Sequence, residues 1–177
     1  MTRTLLIPAL GLLAIAIGCS DGKVTHVIQP GMGSITLGTT NHDGSGFLPL
    51  EGDQTLVPGA QGGFHVWLKY RVKGMAPGKV MVQRTVRRVS DNHLLLTTEG
   101  AQMVGEPAAD GTWELPTAIP SFMCPSPLGV KVFDAPAVFD LVITDEDGNM
   151  LGEGNAEATP RCPTDDQQPF CVRICSG

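Results

Sequence analysis

Residues 64–72 alternate without interruption. Phe64, Val66, Leu68, Tyr70 and Val72 fall on one side, and His65, Trp67, Lys69 and Arg71 on the other. Successive side chains of a strand point to opposite faces, whereas a helix would scatter these nine residues around its axis. A strand here requires partner strands, and the sequence offers them. Short apolar or β-branched runs lie at 34–37, 47–50, 54–57, 79–89, 93–98, 111–115, 138–144 and 150–158, with a shorter one at 130–133. Between them stand turn formers: Pro58-Gly59, the 74–78 stretch, Ser90-Asp91-Asn92 and the 145–149 stretch. The 22 glycines and 14 prolines among 177 residues favour turns over long helices, and no segment carries a capped 3.6-residue periodicity over a dozen residues. Residues 116–127 read as an extended loop that carries Cys124. The expected fold is all-β, a single β-sandwich.

The N-terminus is set apart from that domain. A short segment with one positive charge, Arg3, precedes an apolar run from Leu5 to Ile17, which is too short for a membrane-spanning helix of about 20 residues. The run ends in Ala16-Ile17-Gly18-Cys19, which resembles the lipobox of bacterial lipoproteins, with Ala16 where that family prefers Leu. The resemblance implies cleavage after Gly18, lipidation of Cys19 with diacylglycerol, and acylation of the new amine. It divides the chain into a signal peptide at 1–18, a lipidated flexible tether at 19–33, a β domain at 34–160 and a tail at 161–177. The chain would then reside in the cell envelope, held to the outer membrane by its lipid.

Two further stretches resemble known proteins. Residues 139–158, with Val142-Ile143-Thr144-Asp145-Glu146-Asp147-Gly148-Asn149, resemble the final hairpin of immunoglobulin-like and fibronectin-like domains of bacterial surface proteins. Residues 61–67 (Gln-Gly-Gly-Phe-His-Val-Trp) resemble a segment of uncharacterised lipoproteins of the myxobacterial type. The first implies an immunoglobulin-like sandwich. The second implies no activity.

Apart from Cys19, the chain has four cysteines: Cys124, Cys162, Cys171 and Cys175. An even number in an exported chain predicts two disulfides, and the tail spacing lacks the paired C-x2-C knuckles of a structural zinc site. Residues 170–175 alternate and read as a strand. In a strand, Cys171 and Cys175 would lie about 13 Å apart at roughly 3.3 Å per residue, beyond the ~7 Å reach of a disulfide. If both bonds form, Cys124 joins one of them and Cys162 the other, clamping the tail to the domain.

The net charge is −6, and loss of Arg3 with the signal segment takes it to −7. Residues 69–88 nevertheless hold Lys69, Arg71, Lys73, Lys79, Arg84, Arg87 and Arg88 without one Asp or Glu. Lys69, Arg71 and Arg87 are therefore expected on a shared exposed face, either as a solvated sheet surface or as a site for an acidic partner or anionic envelope polymer. An exported, acidic chain without a nucleic-acid motif is not expected to bind nucleic acid.

Motifs for chemistry are weak. Asn41, Asp43, Ser45 and Gly46 have calcium-loop spacing, but Gly52 stands where a Glu is needed. Asp145, Asp147 and Asn149 repeat the spacing with Met150 and Ala156 at the Gly and Glu positions. Both read as turns. His26, His42, His65 and His93 are dispersed and form no His/Met pair for copper. Gly44-Ser45-Gly46 lacks a nucleophile-elbow frame. No cofactor, metal or catalytic residue is assigned. The expected function is a non-enzymatic binding or structural module of the envelope, attached to the membrane and facing another envelope component. The alternatives are a metal- or small-ligand-binding module and, less favoured, a hydrolase.

Overall fold

The computed structural model describes residues 32–41 and 43–177. The signal segment, Cys19, His26 and His42 lie outside the described residues, as does almost all of the 19–33 tether.

The described chain is mostly β, a curled sheet with one short helix. Its strands are β1 (Gly33–Thr39), β2 (Leu48–Pro49), β3 (Gly52–Thr55), β4 (Val57–Pro58), β5 (Phe64–Lys73), β6 (Gly78–Arg88), β7 (Leu94–Val104), β8 (Thr112–Glu114), β9 (Ile119–Cys124), β10 (Ala137–Thr144) and β11 (Met150–Arg161), followed by α1 (Gln168–Cys175). The main path runs β4-β5-β1-β11-β10-β6-β7. The long hairpins β6–β7 and β10–β11 are antiparallel, whereas β1 and β3 each lie parallel to β11. The sheet curls until its two ends meet: β7 touches β9, and Arg84 of β6 donates to the Pro120 carbonyl of β9 at 3.2 Å.

The inward faces of these strands form one core. Phe64, Val66, Leu68, Tyr70 and Val72 of β5 meet Phe139, Leu141 and Ile143 of β10 and Val80, Val82 and Val86 of β6, all at most 5% exposed. Burial pushes the Tyr70 phenol up to about 12. Close approach of β1 to β11 is possible because β11 carries glycine there: a Cβ on Gly154 would lie 2.7 Å from the Ile35 carbonyl oxygen.

Three segments depart from the sequence reading. Residues 119–124 are not loop but strand, paired with β5 from Leu68↔Ile119 to Phe64↔Cys124. Pro120 is tolerated because β9 pairs on one side only, so its missing N–H breaks no second ladder. Residues 130–133 form no strand. The tail segment read as a strand is α1. Pro169 sits in its first turn, and its buried and half-buried residues, Phe170, Cys171, Ile174 and Cys175, recur at helical spacing.

The helix is tied down twice. Cys124 bonds Cys175 and Cys162 bonds Cys171. The carbonyls of Ile174 and Cys175, which the helix end leaves unpaired, accept from the backbone N–H groups of Ser126 and Val132 at 3.0 Å. The two disulfides span 51 and 9 residues. In the chain-entropy account these closures stabilise by about 4 and about 2.5 kcal/mol. Cys124→Ala/Cys175→Ala should therefore lower the urea midpoint more than Cys162→Ala/Cys171→Ala, with the ordering read from parallel denaturation curves.

Candidate functional site

Both faces of β5 are covered, and this decides the fate of the expected basic face. The inner face carries the core residues. On the outer face, His65 and Lys69 are each only 4% exposed. The 43–49 segment meets this face: Lys69 Nζ donates to the Gly46 carbonyl at 3.1 Å, and the Arg71 guanidinium lies 4.0 Å from the centre of the Phe47 ring. Gly38 leaves room for that ring, since a Cβ there would stand 2.5 Å from it.

Arg71 is exposed as expected, but Lys69 is not, and the expected cationic face is not shared. Lys69 is buried and paired with Glu114, whose other oxygen accepts from Arg71 at 2.8 Å. Antiparallel pairing of β8 with β5 sets Arg71 opposite Glu114, so the compensating carboxylate arrives from beyond the acid-free 69–88 stretch. Other members of the run have partners of their own: Lys79 with Glu146 at 2.7 Å, Arg88 with Asp91 at 2.6 Å, Arg84 with the Pro120 carbonyl. Arg87 is half-buried and donates to the Asn92 carbonyl. It stands on β6, separated from β5 in the sheet by β1, β11 and β10. The three residues do not come together.

Between the end of β1 with β2 on one side and β3 on the other opens a cleft of about 230 Å³. Thr39, Thr40 and Asn41 line one side, Asp53 and Gln54 the other, and the half-buried Trp67 contributes an indole. Asp53 is engaged by Arg161 at 2.9 Å. What remains are hydroxyl and amide groups beside the indole and the aliphatic Leu48, Pro49 and Val57, a set that offers both donors and acceptors but little charge. The Thr40 hydroxyl is buried without a hydrogen-bond partner among the described residues. Next to Trp67 on the same face, the His65 ring lies 4.4 Å from the indole and 5.5 Å from Phe122, both edge-on. Neither of its nitrogens has a partner among the described residues, and burial lowers its pKa. It packs as an uncharged ring.

The oxygen-rich turns use their own donors. Asp43 accepts from the Ser45 N–H at 2.9 Å and hydroxyl at 2.6 Å, which holds its carboxyl below the usual range. Asp145 accepts from the N–H groups of Asp147 and Asn149 and from the Asn149 amide, with the same result. The remaining cluster of potential metal ligands among the described residues is Cys162, Cys171 and Cys175, all in disulfides.

Glu114, Phe47 and Phe122 did not stand out in the sequence. The first shows only in the short alternation of Thr112-Trp113-Glu114, and nothing local reveals that these strands pair with β5.

No family model matches the chain, and no curated protein matches it. Among solved structures, it aligns with Bacteroides uniformis beta-glucuronidase 2 at TM-score 0.34 and 16% identity, over 64% of this chain and 15% of that one. It aligns with the N-terminal domain of PorA at TM-score 0.29 and 14% identity, over 71% of this chain and 96% of that one. The chain spans about 15% of the length of the glucuronidase. Likenesses at these scores carry no argument about activity.

Burial pushes the Glu114 carboxyl up, but hydrogen bonds and attraction from Lys69 and Arg71 outweigh it and hold the pKa below the usual value. A carboxyl lowered in the folded state stabilises above its unfolded pKa, and that stability is lost as pH falls through the folded value. Glu114→Gln leaves the buried Lys69 ammonium without its carboxylate and should cost about 2 kcal/mol at pH 7, less than a fully buried pair because Glu114 is partly exposed. Urea titrations should show this loss together with a shallower decline of stability below about pH 4.5 than in the wild type.

Proposed function

We propose that this chain is an exported envelope lipoprotein, anchored through lipid on Cys19, whose domain is a non-enzymatic binding module. In this reading the curled sheet is an immunoglobulin-like sandwich that presents its Trp67 cleft to another envelope component. The observation that carries the reading is the cleft itself: an indole, threonine hydroxyls and Asn and Gln amides face one open groove while Asp53 is engaged by Arg161. That chemistry suits a neutral, hydrogen-bonding segment, and among the described residues lining the cleft there is no lysine or arginine for an anionic polymer to grip. The two disulfides support an oxidising compartment. The volume of about 230 Å³ falls short of the roughly 300 Å³ at which ligand pockets begin, which places the second reading, a small-ligand-binding module, behind the first.

The cleft is tested with a photo-crosslinking residue at Gln54, compared with one at the exposed Thr97 on β7, in intact envelopes. Adducts are expected from Gln54 alone, and Trp67→Ala should reduce them about tenfold, as loss of an aromatic anchor does. Equal adducts from both positions would remove the cleft from consideration.

Anchoring is tested separately. Each buried methylene holds by about 0.8 kcal/mol, so two or three acyl chains bind a membrane stably where one does not. Cys19→Ser should leave the detergent phase for the aqueous phase, or remain unprocessed. Wild-type partitioning by the variant would refute the lipid anchor.

A further inference from the structure

The four domain cysteines form one cluster. Cys171 and Cys175 are four residues apart on α1, so one helical turn sets them on the same side, with Cα atoms about 6 Å apart by helix geometry. Their sulfurs belong to different disulfides yet lie 3.7 Å from each other. The Cys162, Cys171 and Cys175 sulfurs all fall within 4.8 Å of one another. The four also differ in access. Cys171 and Cys175 have no exposed surface, and Cys162 is half-buried. Cys124 is 4% exposed and lines an open cleft of about 250 Å³ beside Phe122 and Gln61.

We propose that the two disulfides are a single thiol–disulfide exchange centre, which takes a reduction at Cys162 and delivers it as a thiol at Cys124. The substrate class is an external dithiol. One of its thiolates attacks the Cys162 sulfur, forming a mixed disulfide and expelling the Cys171 thiolate. Cys171 attacks the Cys175 sulfur 3.7 Å away, forming a Cys171–Cys175 bond and expelling the Cys124 thiolate. The second external thiol then attacks its partner sulfur and releases Cys162 as a thiolate. The external dithiol becomes a disulfide, losing two electrons, and its two protons pass to Cys124 and Cys162. The helical spacing lies within the Cα range of about 4.4–6.8 Å that disulfides occupy, while the Cβ atoms, about 5–6 Å apart on a regular helix, must close to about 4 Å, so the new bond draws in the last turn of α1. The outcome differs from ordinary reduction of one bond. Both covalent ties between α1 and the rest of the domain are gone after a single two-electron event, and the new thiol stands in the cleft beside Phe122.

The relay is read by alkylation and peptide mapping of the full chain. In Cys162→Ser the unpaired Cys171 should capture Cys175. Label should then appear on Cys124, with a Cys171–Cys175 crosslink, at a rate at least about tenfold above that in Cys162→Ser/Cys171→Ser, which lacks the attacking thiolate. Label on Cys171 with Cys124–Cys175 intact, or equal labelling of Cys124 in both variants, would overturn the proposal. The wild type, treated with one equivalent of dithiothreitol, gives a check that needs no variant. Labels paired on Cys162 and Cys124 support the relay. Labels paired on Cys162 and Cys171, or on Cys124 and Cys175, refute it.

Discussion

Strand β5 is hydrogen-bonded along both edges and covered on both faces. Over Lys69–Lys73 it pairs with β1 and, at Arg71–Lys73, with β8; over Phe64–Leu68 it pairs with β9 and, at Phe64–His65, with β4. His65 and Lys69 on its outer side are out of water, so a charge at either position must be matched locally. Glu114 and the Gly46 carbonyl meet that demand for Lys69, and the aromatic neighbours Trp67 and Phe122 enclose a neutral His65. The 43–49 segment is held by Lys69 and Arg71, and the Trp67 cleft opens at its border.

Much of this frame was legible in the residues. The 64–72 alternation marks β5 and its inner face, and the Gly/Asp/Asn turns mark the hairpins β6–β7 and β10–β11. The same alternation misled where its outer half was concerned. A strand covered on one side only would expose Lys69 and Arg71, and the local sequence holds no acid to suggest otherwise. Their partner comes from β8 through a pairing separated by more than forty positions, which no periodicity encodes. The site suffered the same way: Asn41, Gln54 and Trp67 belong to distant segments, and only the sheet register joins them.

The tail shows how a short pattern can satisfy two periods. Residues 170–175 alternate, yet Phe170, Cys171, Ile174 and Cys175 also make one side of a helix. The strand reading kept Cys171 and Cys175 about 13 Å apart and so unpaired. They are indeed not bonded to each other, but for a different reason. Each is already engaged, one with Cys162 and the other with Cys124, and the helix brings them to contact distance.

The parallel register of β1 with β11 sets Gly33 beside Gly152 and Ser34 beside Glu153. The first and last strands of the domain are therefore neighbours, and β1 also supplies the link between β5 and the β11-β10-β6-β7 portion of the sheet. A chain delivered with its N-terminus leading can form the β6–β7 hairpin early, but it cannot close the sheet until β11 has followed. Contacts of such long sequence separation slow folding, and meanwhile the β11-facing side of β1 remains open to wrong pairings. Closure of the sheet therefore waits on its most C-terminal described strand, and the order of folding is set by the register that makes β1 and β11 neighbours.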